Sequence, residues 1–143
     1  LQSSDDIKFS IKNFKVVSKL KPTRKVLNNL IFAFNICRFV KSNAIVLTHR
    51  GTTVGIGSGQ PSRLDSCKIA IDKLKKFNSD INGEILAASD AFFPFVDGIE
   101  TLVQSGVTAV IQPSGSVRDK EIIKYANETG TILVFSKSRH FNH

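Results

Sequence analysis

The sequence contains no methionine and no tryptophan, a single tyrosine, and only two cysteines in 143 residues. Two thiols, Cys37 and Cys67, cannot staple a disulfide scaffold. Together with three histidines they never fall at metal-ligand spacing, so no metal site is expected. Long apolar runs are also absent. The longest, Leu30 to Phe34, is far short of the roughly 20 residues a membrane-spanning helix needs. Lys8, Lys12 and Lys15 interrupt the first apolar positions, which argues against a signal peptide. The expectation is a protein of the reducing cytoplasm, with no membrane partner. The chain opens on Leu1 and reads as a portion of something longer.

What is present is a globular composition: 41% hydrophobic residues, 11 of them phenylalanine. One domain of this length buries about two-thirds of its unfolded surface. The net charge is +8, and it is uneven. Up to Lys41 there are nine basic residues opposed only by Asp5 and Asp6, a local charge of +7. Such an arm suits phosphates or an acidic surface. The lysines are spaced rather than clustered and no RNA-reading motif accompanies them, so a solvated face is the favoured reading and nucleic acid is not the expected partner.

Ile7, Phe9 and Ile11 alternate with polar residues at the period of a half-buried strand, which Phe14 to Val17 continues. This strand has no evident partner within the chain, and an unpaired edge invites association. Residues 1–21 are read as a basic arm or linker strand and 22–143 as the folded unit. Pro22-Thr23 opens a helix whose buried face is Leu27, Leu30, Ile31, Phe34 and Cys37, closed by Ser42-Asn43. Ala44 to Thr48 and Thr53 to Ile56 form a hairpin. A second helix runs from about Leu64 to Phe77. Then strands at Ile85–Ala88, Val107–Ile111 and Thr131–Phe135 alternate with helices at Phe95–Gln104 and Val117–Asn127. This order predicts an α/β fold with a mostly parallel sheet and one antiparallel hairpin.

In such sheets ligands gather at strand carboxyl ends and helix N-termini. Three loops qualify. The glycines of Gly55-Ile56-Gly57-Ser58-Gly59-Gln60-Pro61-Ser62-Arg63 let backbone N–H groups approach an anion, or serve only as turns; Arg63 offers a planar fork for phosphate or carboxylate. Ser89-Asp90-Ala91-Phe92-Phe93-Pro94-Phe95 places three phenylalanines at a strand-to-helix junction, for the core or for stacking on a flat heterocycle. Asp97 follows in the first helical turn, either as a dipole-stabilising carboxylate or as an acceptor for an amine-rich ring. In Pro113-Ser114-Gly115-Ser116-Val117-Arg118-Asp119, Ser116 and Asp119 have capping-box spacing, and the same N–H groups suit a ligand carboxylate. The tail Arg139-His140-Phe141-Asn142-His143 gathers a cation, an aromatic and two imidazoles after the last strand.

These motifs, with Leu30-Ile31-Phe32-Ala33, Lys41-Ser42-Asn43-Ala44-Ile45-Val46 and Ile111-Gln112-Pro113-Ser114-Gly115-Ser116, resemble the bifunctional purine biosynthesis enzymes, AICAR transformylase/IMP cyclohydrolase. The resemblance runs from about Pro22 to His143 and lies in the carboxy-terminal part of the transformylase domain. It implies a three-layer α/β/α sandwich like that of cytidine deaminases. The His-x-Glu and Pro-Cys-x-x-Cys zinc motifs of those deaminases are absent. It implies formyl transfer from 10-formyltetrahydrofolate, the co-substrate, to 5-aminoimidazole-4-carboxamide ribonucleotide (AICAR). By the same resemblance Asn43 positions the AICAR carboxamide, and Arg63, Phe92, Arg139 and Phe141 bind the nucleotide. Leu64, Asp97, Ser116 and Val117 bind the folate, and no metal is used. Val96 stands where the family often has Arg. The family's Lys-His acid/base pair and its cyclohydrolase domain have no counterpart here, and Arg139-His140 is a different motif. The implied partners are a second copy of the chain or the rest of the enzyme. The competing reading is a non-catalytic ligand- or RNA-binding module using the basic arm.

Overall fold

A computed structural model describes residues 13–78, 80, 81 and 83–137. The elements are β1 (Phe14–Val16), α1 (Arg24–Ile36), β2 (Ile45–His49), β3 (Thr52–Gly57), α2 (Arg63–Phe77), β4 (Ile85–Ser89), α3 (Val96–Gln104), β5 (Val107–Pro113), α4 (Asp119–Thr129) and β6 (Ile132–Ser136). One six-stranded sheet has the order β1-β6-β5-β4-β2-β3.

The sheet is mixed, which corrects the expectation of a mostly parallel sheet with one antiparallel pair. Among the described residues only β4/β5 and β5/β6 are parallel. The pairs β1/β6, β2/β3 and β2/β4 are antiparallel. The cause is where β4 lands. After the hairpin and the α2 crossover, β4 runs in the direction of β3 but docks beside β2, on the hairpin's other side. It must therefore oppose β2. At the far edge, residues 14–16 do have a partner within the chain. Phe14 lies opposite Ser136 and Val16 opposite Val134. Residues 7–12 lie outside the described residues.

The period-two alternation of the strands separates two cores. Val46, Leu86, Ala88, Ala109, Ile111 and Val134 face α1, which presents Val26, Leu30, Ile31, Phe34 and, just after it, Cys37. Ile45, Leu47, Ala87, Val110 and Leu133 face the other way, onto α2, α3 and α4. Among the described residues, one helix thus covers one face of the sheet and three cover the other. No helix among the described residues is long and apolar enough to cross a membrane.

The helix starts follow from local chemistry. Thr23 Oγ1 accepts from Val26 N (3.2 Å) at α1, and Ser62 Oγ accepts from Asp65 N (3.3 Å) at α2. α1 stops earlier than the sequence predicts, at Ile36, followed by one 3₁₀ turn, Cys37–Phe39. α4 starts two residues later than predicted. Asp119 draws Gly115 N (2.9 Å) and Ser116 N (3.2 Å) onto its carboxylate, which holds the preceding residues in a turn. That bond from Ser116 N is half of the expected capping box; the other half does not form, because Ser116 Oγ accepts from Arg118 N (3.1 Å) and not from Asp119 N.

Candidate functional site

Three chain segments meet where β2 begins and β4 ends. Because these strands are antiparallel, Ile45 lies opposite Ser89. The residues before β2 therefore stand beside those after β4. The N-terminus of α2 closes the third side. Its approach depends on Gly55 and Gly57, both buried in β3. A Cβ on Gly57 would collide with the Ser66 carbonyl oxygen of α2, and one on Gly55 with that of Ala70. These two glycines seat a helix against a strand, a role that neither reading of the stretch, anion-binding loop or plain turn, had given them. Only Gly59, at φ +67°, sits in the turn itself.

At the junction lies a buried polar cluster centred on Arg63 and Asp90. Arg63 Nη1 donates to Asp90 Oδ1 (2.5 Å) and to Ser89 Oγ (3.0 Å), and Nη2 donates to Asn43 Oδ1 (2.7 Å). Asp90 is fully buried. It also accepts from Ser42 Oγ (2.7 Å) and from Ala44 N (3.1 Å). Asn43 Nδ2 donates to the carbonyls of Gln60 (2.8 Å) and Pro61 (3.0 Å), and Ser66 Oγ donates to the Asn43 carbonyl (2.7 Å). The Ser42–Asn43 peptide bond is cis. A buried ion pair is held in place when further hydrogen bonds support it, and here Ser89 and Asn43 accept from Arg63 while Ser42 and Ala44 donate to Asp90.

Above this cluster opens a cleft of about 520 Å³. Asn43, Arg63, Leu64, Phe92 and Asp97 all line it, together with Phe93, Pro94 and Phe95. Phe93 is buried and supported by Gly98 of α3, whose missing side chain leaves room for the ring. Its backbone N–H donates to the buried Gln112 Oε1 (3.4 Å). Phe92 is half-buried and Phe95 is 53% exposed, so two of the three rings reach the opening. The arrangement is a polar floor with aromatic walls, suited to a flat, partly polar molecule.

Ser116 and Val117 do not line the cleft. Val117 is fully exposed, and the Ser116 N–H is already taken by Asp119. Their loop borders the cleft through the next residue: the Arg118 guanidinium lies 4.9 Å from the centre of the Phe95 ring. Arg139 and Phe141 lie outside the described residues. Sequence reasoning gave no role to Asp90, the hub of the cluster. A carboxylate just past the apolar run Ile85–Ala88 was the available signal, since such a group must find a partner when buried. Among the described residues, no group of His, Cys, Asp and Glu is placed to hold a metal ion.

The two thiols flank the cluster from opposite faces of the sheet. Burial pushes Cys67 up to about 12, with Arg63 opposing and Asp97 adding to the rise. Burial, reinforced by Asp90, raises Cys37 further still. Thiolates, not thiols, react. Ellman's reagent at neutral pH is therefore expected to find no reactive thiol in the folded chain and two in denaturant. A fast-reacting thiol under native conditions would contradict the burial of Cys37 and Cys67.

Comparison with known proteins places this chain in a family. The model of the AICARFT/IMPCHase bienzyme family matches residues 1–73. The bifunctional purine biosynthesis protein PurH of Aquifex aeolicus is 46% identical over all 143 residues, which make up 28% of that protein. The PurH proteins of Neisseria meningitidis and of Buchnera aphidicola are also 46% identical over the whole chain, which covers 27% of each. The chain thus spans little more than a quarter of the length of these relatives. With half of its residues matched by the family model and its full length matched by these enzymes, the chain belongs to the AICARFT/IMPCHase bienzyme family of purine biosynthesis.

Proposed function

We propose that this chain is the carboxy-terminal subdomain of an AICAR transformylase, with a cytidine deaminase-like α/β/α sandwich. It would serve the transfer of a formyl group from 10-formyltetrahydrofolate to AICAR. The observation that carries the reading is the convergence of Asn43, Arg63, Leu64, Phe92 and Asp97 on one cleft, from segments up to 54 residues apart.

The chemistry asks for what such a cleft supplies. The AICAR amine is a poor nucleophile, because the ring and carboxamide delocalise its lone pair. Transfer therefore needs amine and formyl carbon held in line, a proton removed, and a tetrahedral oxyanion stabilised. In this reading Phe92 stacks on the aminoimidazole and Asn43 fixes the carboxamide. Arg63 bounds the nucleotide side, assisted by Arg139 and Phe141. Leu64 packs on the folate, Asp97 accepts hydrogen bonds from its amine-rich pterin, and the Ser116–Val117 backbone flanks it. The family's Lys-His pair, which moves the proton, would come from another part of the enzyme. Binding and orientation are then this chain's contribution, in the cytoplasm, within a homodimer or joined to the rest of the enzyme.

Titration of the chain with AICAR, followed by calorimetry, tests the reading. Saturable binding is expected. Phe92→Ala should weaken it about tenfold, the loss of about 1.4 kcal/mol of stacking, with the circular dichroism spectrum unchanged. No saturable binding up to millimolar AICAR, or equal affinity in the variant, would overturn it.

A further inference from the structure

Asn43 is held in one orientation by its neighbours. Its Oδ1 faces Arg63 Nη2, a group that can only donate (2.7 Å). Its Nδ2 faces the carbonyl oxygens of Gln60 (2.8 Å) and Pro61 (3.0 Å), which can only accept. Rotating the amide by half a turn would set donor against donor and acceptor against acceptors. Both amide hydrogens are spent on the chain. What Asn43 has left to offer the cleft is the second lone pair of Oδ1, an acceptor.

The restraint on Arg63 comes in turn from behind it. Asp90 is completely buried and holds Nη1 at 2.5 Å, while Ser89 Oγ holds the same nitrogen at 3.0 Å. Asp90 is itself fixed by Ser42 Oγ and by Ala44 N. It is not among the residues lining the cleft. We infer that Asp90 is a positioning residue: acting through the Arg63 guanidinium, it locks the Asn43 amide so that this side chain offers the cleft an acceptor and no donor. At Asn43 the cleft then favours a ligand group bearing N–H, such as an amine or carboxamide, over one bearing only acceptors, such as a carboxylate. The ligand side of this statement rests on the function proposed above; the locking of Asn43 does not.

Nitrogen-15 NMR of the whole chain separates the two. The Asn43 side-chain NH₂ is expected as a resolved pair of resonances whose exchange with water is slowed. In Asp90→Asn, which preserves size, that exchange should quicken at least tenfold. Because Arg63 would then be left without its charge partner, Arg63→Met/Asp90→Asn is measured alongside; it orphans no buried ion and should show the same loss. Leu30→Ala, a core truncation on the far face of the sheet, should leave the Asn43 signal slow. Unchanged exchange in Asp90→Asn, or equal acceleration in Leu30→Ala, overturns the inference. In a binding arm, AICAR should lose about tenfold in affinity to the double variant, and in the parent chain should bind at least tenfold tighter than the corresponding 4-carboxylate ribonucleotide. Equal affinity for carboxamide and carboxylate overturns the selection of N–H groups. Failure of the parent chain to bind either compound counts against the transformylase reading, while the exchange data still decide the role of Asp90.

Discussion

Gly57→Ala is expected to lower stability by about 3 kcal/mol or more, at the upper end of what overpacking a well-filled interior costs. The obstacle to the new methyl group is the Ser66 carbonyl of α2, which is backbone and cannot swing aside. Relief requires the whole helix to lift from β3. Because α2 carries Arg63 at its first position, lifting it also disturbs the cleft. Gly83→Ala is the matching control. Gly83 has φ +101° but nothing within reach of an added Cβ, so its cost is limited to backbone strain, about 1 kcal/mol. Urea unfolding of both variants gives the comparison. Similar midpoints for the two would mean that β3 and α2 are not in the close contact described.

The second large effect concerns the buried pair. Arg63→Met should destabilise by about 3–5 kcal/mol, because it strands the Asp90 carboxylate in a site with no exposure. Adding Asp90→Asn should restore much of the loss, since the desolvated charge disappears with its partner. The two changes are thus expected to be strongly non-additive, with a coupling of at least about 2 kcal/mol in a double-mutant cycle by chemical denaturation. Simple additivity would show that Asp90 finds compensation elsewhere.

Much of this architecture was legible in the residues. The apolar face of α1, the hairpin after Asn43 and the helix–strand alternation beyond Ile85 are local patterns, and they stand where the periodicities put them. The direction of β4 was not legible, because no local signal says on which side of a hairpin a crossover lands. Gly55 and Gly57 carried an overlooked hint. Two glycines two residues apart in a strand share a face, and a face without side chains is a seat for another backbone. Asn43, Arg63, Leu64, Phe92 and Asp97 stand out in the sequence through the motifs that carry them, and they converge on the cleft. Asp90 went unrecognised since its partners, Ser42 and Arg63, are 48 and 27 residues away, and only the fold unites them. The late start of α4 arose similarly, from a carboxylate that bends the preceding loop back onto itself.

The pairing of Arg63 with Asp90 sets how far the floor of the cleft can be felt. A guanidinium and a carboxylate in contact cancel at a distance, and what remains is a dipole whose field fades within a few ångströms. A phosphorylated metabolite approaching from solvent gains no long-range pull from this arginine. It must be drawn in by exposed cations that lack such a partner, and is discriminated only once it has shed its water and reached the base of the cleft.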